Sequence, residues 1–386
     1  LRILQNNYIK TPLLIFLFSR FLIFFFIILG SHFTVKDLPF GDFRIRAPHI
    51  ELKSETVESR LKHMVTTGDS YWYQRIAGSG YSAEKFNTDK ENDWAFFPLL
   101  PMIMIAFKSV FGEFIFSTIL FNNLLLLCSL VLIYRYTLLL FKDENQANVA
   151  TWLTALHPTS YFYSLPVTEA LFLILLISAF FLIEKNRPIL SGILICLASA
   201  TRATGVLTFP AFFFALIRNK QISKVQIAIA LLIAPLGILA FMSHLYFLTG
   251  NFFAFYDIQV AWGRNPNSIF KIFKTLGEHP FLVMSDWNFV WLHLLAILLV
   301  LATAIHFLKK KMYHLTLLVF IPIAVALWTG KLMSITRFTL VLFPIYFYLG
   351  ELSKNKTFDR IIFVIFASFL AIMAALYGAQ VTAALA

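Results

Sequence analysis

The stretch Gly68-Asp69-Ser70-Tyr71-Trp72-Tyr73-Gln74-Arg75-Ile76-Ala77, followed by Gly80-Tyr81 and then by Trp94-Ala95-Phe96-Phe97-Pro98-Leu99-Leu100-Pro101, decides how this chain is read. It is a polar, aromatic-rich loop with one well-placed carboxylate, and almost everything after it is built for lipid. Of the residues, 59% are hydrophobic and only 13% charged, with 44 Phe. That composition excludes the soluble globular class and points to a polytopic membrane protein. A membrane protein has little reason to hold an acid among Trp and Tyr at the bilayer edge unless it handles a polar molecule there. Asp69 is therefore the first candidate for a catalytic group.

Working outward, the run Thr11–Gly30 is too long, and too weakly followed by a small-residue cleavage site, to be a signal peptide. It reads as the first membrane helix. Apolar segments over 12–30, 114–141, 146–157, 166–184, 188–202, 204–218, 225–249, 286–308, 312–329, 333–350 and 360–380 predict an all-α polytopic membrane protein, a single domain over 1–386. A full crossing takes roughly 20 apolar residues, so the shorter segments read as partial or broken helices flanking a cavity. The segment 96–111 is short and carries Pro98, Pro101 and Lys108. With Arg2 and Lys10 cytoplasmic and 96–111 not crossing, the clusters Arg135/Lys142, Lys185/Arg187, Arg218/Lys220/Lys224, Lys309/Lys310/Lys311 and Lys354/Lys356/Arg360 all fall inside. A crossing at 96–111 would turn every later cluster outward. The expectation is an interfacial or re-entrant helix at 96–111, within a first extracytoplasmic loop over 31–111, and about eleven transmembrane helices in all. The protein is then a multi-pass plasma-membrane protein with its N-terminus in the cytoplasm and its C-terminus outside.

This topology sorts the polar residues. The loop 31–95, the turn His157–Glu169, the break at Thr201–Thr204, the loop Gly250–Asp286 and the turn Gly330–Arg337 all face outward. The net charge of +12 sits mainly in short clusters between apolar runs, which topology explains better than a nucleic-acid face. Cys128 and Cys196 lie inside apolar runs and indicate neither a disulfide framework nor a metal site. His32, His49, His63, His157 and His279 are scattered without ligand spacing, so no metal is expected. There is no Walker A loop, no G-x-G-x-x-G before a helix and no G-x-S-x-G elbow.

Asp69, walled by Trp72 and Tyr73, suits proton acceptance from a hydroxyl; it also fits the N-cap of a helix starting at Ser70. Glu169, directly before an apolar helix, is a functional candidate or a first-turn acid complementing the helix dipole. Arg202, Arg264 and Arg337 stand in similarly apolar outer settings. A guanidinium in the apolar part of a bilayer costs ~2.5–3.5 kcal/mol on insertion scales. A bound phosphate would offset that, as would lipid headgroups, or ion pairs with Glu169 or Asp286. Trp72, Trp94 and Trp262 either stack on a sugar or belong to an interfacial aromatic belt.

The run Asp69-Ser70-Tyr71-Trp72-Tyr73 with Ile76-Ala77 and Gly80-Tyr81, then Phe96-Phe97-Pro98-Leu99-Leu100-Pro101, resembles the first-loop signature of the PIG-V-type mannosyltransferases. Pro158, Thr168-Glu169, Thr201-Arg202 with Gly205, Gln259–Arg264, and Arg337-Phe338 with Phe343-Pro344 follow in the family's order, so the resemblance spans most of the chain. It implies a GT-C glycosyltransferase fold with an extracytoplasmic active site. The implied donor is a polyprenyl-phosphate sugar, and the acceptor a hydroxyl of a glycolipid, glycan or protein. Asp69 maps to the catalytic carboxylate of the first external loop. The family motif usually begins Trp-Asp, and here Gly68 precedes the acid.

On this reading a hexose, in this family mannose, is transferred with inversion while Asp69 acts as general base. Arg202, Arg337 and Arg264 bind the lipid phosphate, and Glu169, Gln259, Trp262, Trp72 and Tyr73 shape the sugar and acceptor pocket. Arginines replace a metal, so no cofactor is expected, and membrane lipid, not nucleic acid, is the surrounding partner. The rival classes are a lipid-linked-saccharide flippase, which would carry polar residues through the midplane and onto both sides, and a membrane O-acyltransferase built on His244 or His293.

Overall fold

The computed structural model describes residues 2–33, 56–265, 268–278, 284–285, 288–381 and 384; His49, His279 and Asp286 lie outside the described residues. Among the described residues the regular structure is helical, apart from a two-residue antiparallel pairing of Met284–Ser285 with Asn288–Phe289. In chain order the helices are α1 (Arg2–Ser31), α2 (Val57–Thr66), α3 (Asp69–Ser79), α4 (Leu99–Phe111), α5 (Ile115–Phe141), α6 (Glu144–Ala155) and α7 (Glu169–Glu184). There follow α8 (Pro188–Ser199), α9 (Ala203–Val206), α10 (Phe209–Arg218), α11 (Lys224–Ile233), α12 (Leu236–Thr249), α13 (Ala254–Asp257) and α14 (Ile269–Glu278). The last five are α15 (Val290–Lys309), α16 (Tyr313–Trp328), α17 (Ile335–Leu340), α18 (Pro344–Leu352) and α19 (Lys356–Gly378).

Among the described residues five stretches are long and apolar enough to cross a membrane: Tyr8–Ser31, Ile115–Phe141, Lys224–Thr249, Val290–Lys309 and Lys356–Gly378. By length and composition this is a multi-pass membrane protein. Every apolar segment read from the sequence contains helix, but several helices are short. With 12 residues in α6 and 16 in α7, each falls well below the roughly 20 residues needed to span about 30 Å of hydrocarbon. Breaks fall where the sequence supplies proline: Pro235 between α11 and α12, Pro210 in the first turn of α10, Pro344 in the first turn of α18. α4 has 13 residues, packs on α3 and α5, and leaves Met102, Ile105, Val110 and Phe111 exposed. The Leu99 N–H donates to the Ala200 carbonyl (3.1 Å), which ties the start of α4 to the break after α8.

The partial helices gather around one buried turn. Residues 156–168, between α6 and α7, are non-helical except for a short 3-10 segment, Ser160–Ser164, and every one of them is buried. Irregular backbone at membrane depth persists only when protein covers it. α1 and α19 pack closely beside it, with no room for a Cβ at Gly30 against Ala375 or at Gly378 against Ile27.

Charged residues separate by end. Asp69 and Glu169 begin α3 and α7, whereas Glu184 closes α7 and pairs with Arg218. Lys310–Glu351 (2.5 Å) and Lys354–Asp143 (3.3 Å) lie at the same end as Glu184, away from the turn.

Candidate functional site

Asp69 is the first residue of α3, not its cap. Gly68 holds the cap position at φ 57°, ψ −139°, and no side chain caps the helix. That backbone is one L side chains rarely adopt, which gives the glycine preceding Asp69 a conformational reason. The Asp69 carboxylate is used elsewhere: Oδ2 lies 2.6 Å from Arg337 Nη1, with Asp69 36% exposed and Arg337 6%. Arg337 Nε donates to Glu169 Oε1 (2.6 Å), and Arg202 Nη1 donates to the same oxygen (3.1 Å). The result is a chain of alternating charge, Asp69–Arg337–Glu169–Arg202, linking α3, α17, α7 and the α8–α9 break. Of the readings open for Arg202 and Arg337, the ion pair with Glu169 is the one observed. Glu169 is fully buried, and its Oε2 has no hydrogen-bond partner among the described residues.

Aromatic rings fix the guanidinium groups. Arg337 lies 4.2 Å from the Phe162 ring centroid. Arg202 sits between Phe172 and Phe338 (5.7 and 5.8 Å), and Arg264 approaches the same Phe338 ring (5.5 Å). Phe338 thus joins Arg202 to Arg264, and its chain neighbour is Arg337.

Arg264 differs from the other two arginines. Among the described residues it makes no ion pair, and burial lowers its pKa while the nearby Asp69 raises it. Beside it stands Lys331, which the sequence reading passed over. Its Nζ donates to the Trp262 carbonyl (2.8 Å) and lies over Gly263, which has φ 68°. Burial lowers the Lys331 pKa, Arg264 lowers it further, and Glu91 opposes that. Four cations (Arg202, Arg264, Arg337, Lys331) therefore stand against Asp69 and Glu169, with Glu91 acting on Lys331, and the cluster is net positive.

Trp72 stacks on Phe96 (5.5 Å, 15°) and meets Trp262 edge-on (5.7 Å). The buried Trp262 Nε1 has no partner among the described residues. Tyr73 is buried near Thr168; burial and then Asp69 raise its hydroxyl pKa, so it stays a neutral donor. The Gln259 amide is held locally, donating to the Phe255 carbonyl (3.2 Å), while the Gln259 backbone carbonyl accepts from Arg264 N (3.0 Å). Trp94 belongs to neither a sugar platform nor an interfacial belt: it is fully buried, with Nε1 bonded to the Ser82 carbonyl (2.9 Å). Another acid of the loop, Asp93, accepts from Ser82 N and Oγ and organises the loop. His293 braces α17 through Thr336 (2.7 Å), and His244 lies edge-on to Tyr81.

Two cavities flank the charged chain. One, a small cleft, is lined by Thr67, Gly68, Asp69, Ser70, Phe162, Leu165, Val167 and Tyr377. The other, also small, is mostly apolar, with Arg202 and Thr204 set among Phe172, Pro322, Phe338, Val341 and Leu342. Among the described residues no group of three or more His, Cys, Asp or Glu side chains converges to hold a metal.

The sequence reading missed Arg20, Phe162 and Lys331. Arg20 alone left a signal, an arginine in the middle of the Phe-rich run 12–30.

No protein-family model matches the chain. No curated protein matches it either. Among solved structures, the Archaeoglobus fulgidus oligosaccharyltransferase in complex with Zn and sulfate is similar at 14% identity and a TM-score of 0.46, over 92% of this chain and 53% of that one. The archaeal oligosaccharyltransferase AglB from the same organism, in complex with an inhibitory peptide and a dolichol-phosphate, is similar at 14% identity and a TM-score of 0.41, over 81% and 51%. The chain spans about half the length of those enzymes. Likeness this distant leaves the chemistry to the residues themselves.

Proposed function

We propose that the chain is a membrane glycosyltransferase of GT-C type, moving a hexose from a polyprenyl-phosphate donor to an acceptor hydroxyl on the extracytoplasmic side. The observation that carries the reading is a half-exposed carboxylate, Asp69, held at the edge of a buried cationic cluster by Arg337. The resemblance to PIG-V-type enzymes makes mannose the hexose.

Asp69 accepts the proton of the acceptor hydroxyl as its oxygen bonds to the anomeric carbon. The bond from that carbon to the lipid-phosphate oxygen breaks on the opposite face, which inverts the centre. A phosphodiester donor carries one negative charge and the departing monoester up to two. A net positive cluster therefore favours the transition state over the bound donor. Arg264 and Lys331, which have no carboxylate at ion-pair distance among the described residues, take the phosphate oxygens first; Arg337 and Arg202 exchange part of their carboxylate contact for phosphate. Once Arg337 turns to phosphate, Asp69 is released as a base. Glu169 Oε2 accepts from, and Trp262 Nε1 donates to, sugar hydroxyls. The apolar cavity below Arg202 receives the first isoprene units. With arginines neutralising the single phosphate, the reaction is metal-independent.

The test is Asp69→Asn in nanodiscs with labelled polyprenyl-phosphate-mannose, with and without chelator. Transfer should fall by about 10²-fold or more with donor binding retained, the size of a lost general base. Near-normal turnover overturns the role of Asp69, and wild-type activity lost to chelator overturns metal independence.

A further inference from the structure

The buried turn that carries the site is held by a residue far from it in sequence. Arg20, in the middle of α1, is 4% exposed. Its Nη1 donates to the Ser160 carbonyl (2.9 Å) and Ser164 Oγ (3.1 Å), and its Nη2 to the Ala155 carbonyl (3.1 Å) and Ser160 Oγ (2.9 Å). No carboxylate pairs with it among the described residues. The guanidinium fork closes the last turn of α6 and clamps the 3-10 segment that follows. Two asparagines of α5 complete the clamp. Asn122 donates to the Leu165 and Val167 carbonyls (2.5 and 2.9 Å), and Asn123 accepts from Ser164 Oγ (2.8 Å).

The clamped segment touches α17 at His157, whose Nε2 lies 3.3 Å from Thr339 Oγ1, and at two further points. The Phe162 ring lies under the Arg337 guanidinium, and the Tyr163 hydroxyl donates to the Leu340 carbonyl (2.6 Å). A membrane-buried arginine costs free energy, and simpler side chains would pack α1 against α6 as well. Four bonds aimed at one turn, which itself carries the platform of Arg337, indicate what the charge is kept for.

We propose that Arg20 is a positioning residue: by fixing residues 155–164 it sets the Phe162 ring and Tyr163, and through them the place of Arg337 between Asp69 and Glu169. The expected effect on phosphate recognition rests on the function proposed above; the coupling of Arg20 to α17 does not.

The experiment compares wild type, Arg20→Met, Phe162→Leu and the double variant in nanodiscs, each at least about 15 °C below its unfolding midpoint so that folded protein is compared. The first readout is affinity for a short-chain isoprenyl monophosphate. Each single variant should weaken it about tenfold, and the double variant hardly further, because both act along one path. The second readout, which needs no ligand, is amide hydrogen exchange. In Arg20→Met, exchange should rise at 158–166 and also in α17, which makes no bond to Arg20, while α5 stays protected. Unchanged phosphate affinity alongside a lowered unfolding temperature, or exchange confined to 158–166, overturns the positioning role. So do effects that multiply in the double variant. If wild type itself does not bind the monophosphate, the functional reading fails, and exchange in α17 alone decides the role of Arg20. Should Arg20→Met not fold, Arg20→Lys, which keeps the charge without the two-armed fork, is read the same way.

Discussion

The two ends of the helices handle charge in opposite ways. At one end Arg218, Lys310 and Lys354 are 37%, 38% and 59% exposed, and each meets one carboxylate in reach of water. At the other, Arg337 and Arg202 are 6% and 12% exposed and share the fully buried Glu169. The first arrangement tolerates loss of a partner because water replaces it. The second does not, because each charge is desolvated and depends on the next. Exposed pairs hold a helix end in place; a buried network stores positive charge where a ligand can use it.

Breaking one acid at each end gives the largest contrast. Glu169→Ala strands Arg202, leaves Arg337 with Asp69 alone, and should destabilise the protein by about 3–5 kcal/mol. Glu351→Ala, at the other end, should cost about 0–1 kcal/mol. Denaturant unfolding in mixed micelles measures both, and equal costs would erase the distinction between the ends. Next in size is Gly68→Ala. Its backbone lies where an L side chain is strained, so about 1–3 kcal/mol is expected, together with loss of the Asp69–Arg337 contact. The same unfolding assay and the transfer assay read it, and an unaffected variant would remove the backbone reason for glycine.

Arg264→Ala and Lys331→Ala sharpen the comparison within the site end itself. Neither residue makes an ion pair among the described residues, so neither should unfold the protein. Each should weaken isoprenyl-monophosphate binding about tenfold, or about 1.4 kcal/mol. Wild-type affinity in both variants would return the phosphate to Arg202 and Arg337.

The smallest effect concerns Asp93, whose carboxyl pKa is raised above 3.8 by burial, against the opposing Ser82 bonds and Arg75. Since the folded-state value is the higher one, the folded protein holds the extra proton between the two values. Stability from this group is present below the ordinary value and is lost as pH rises through the window up to the raised one. Unfolding temperatures from about pH 4 to pH 7 should show that slope in wild type and not in Asp93→Asn. Parallel profiles would mean that Arg75 and Ser82 compensate Asp93 fully.

Much of this was legible in the sequence. Apolar runs placed the helices, because burial in lipid demands continuous hydrophobicity. Pro98 and Pro101 marked 96–111 as a short helix, and α4 begins at Leu99 and has 13 residues. Asp69, Glu169 and the three arginines stood out because charge is rare in such a chain. Their partners were not legible. That Arg337 divides itself between Asp69 and Glu169 depends on how α17 meets α3 and α7, which no local pattern encodes. Arg20 escaped notice because a strongly apolar run masks one polar residue. Lys331 looked like an ordinary turn residue until the structure laid it over Gly263 beside Arg264.

The Asp69–Arg337 contact has a consequence for selectivity. An arginine grips a carboxylate and a phosphate with the same planar fork, so Asp69 occupies a position that a phosphate oxygen would need. An incoming anion must therefore win Arg337 from an acid already attached to the protein. On the proposed function, weakly binding anions such as chloride lose that contest, while a phosphate that also reaches Arg264 and Lys331 draws on cations that make no ion pair among the described residues. In the proposed mechanism the protein's own acid is thus a threshold, and the anion that crosses it would set Asp69 free.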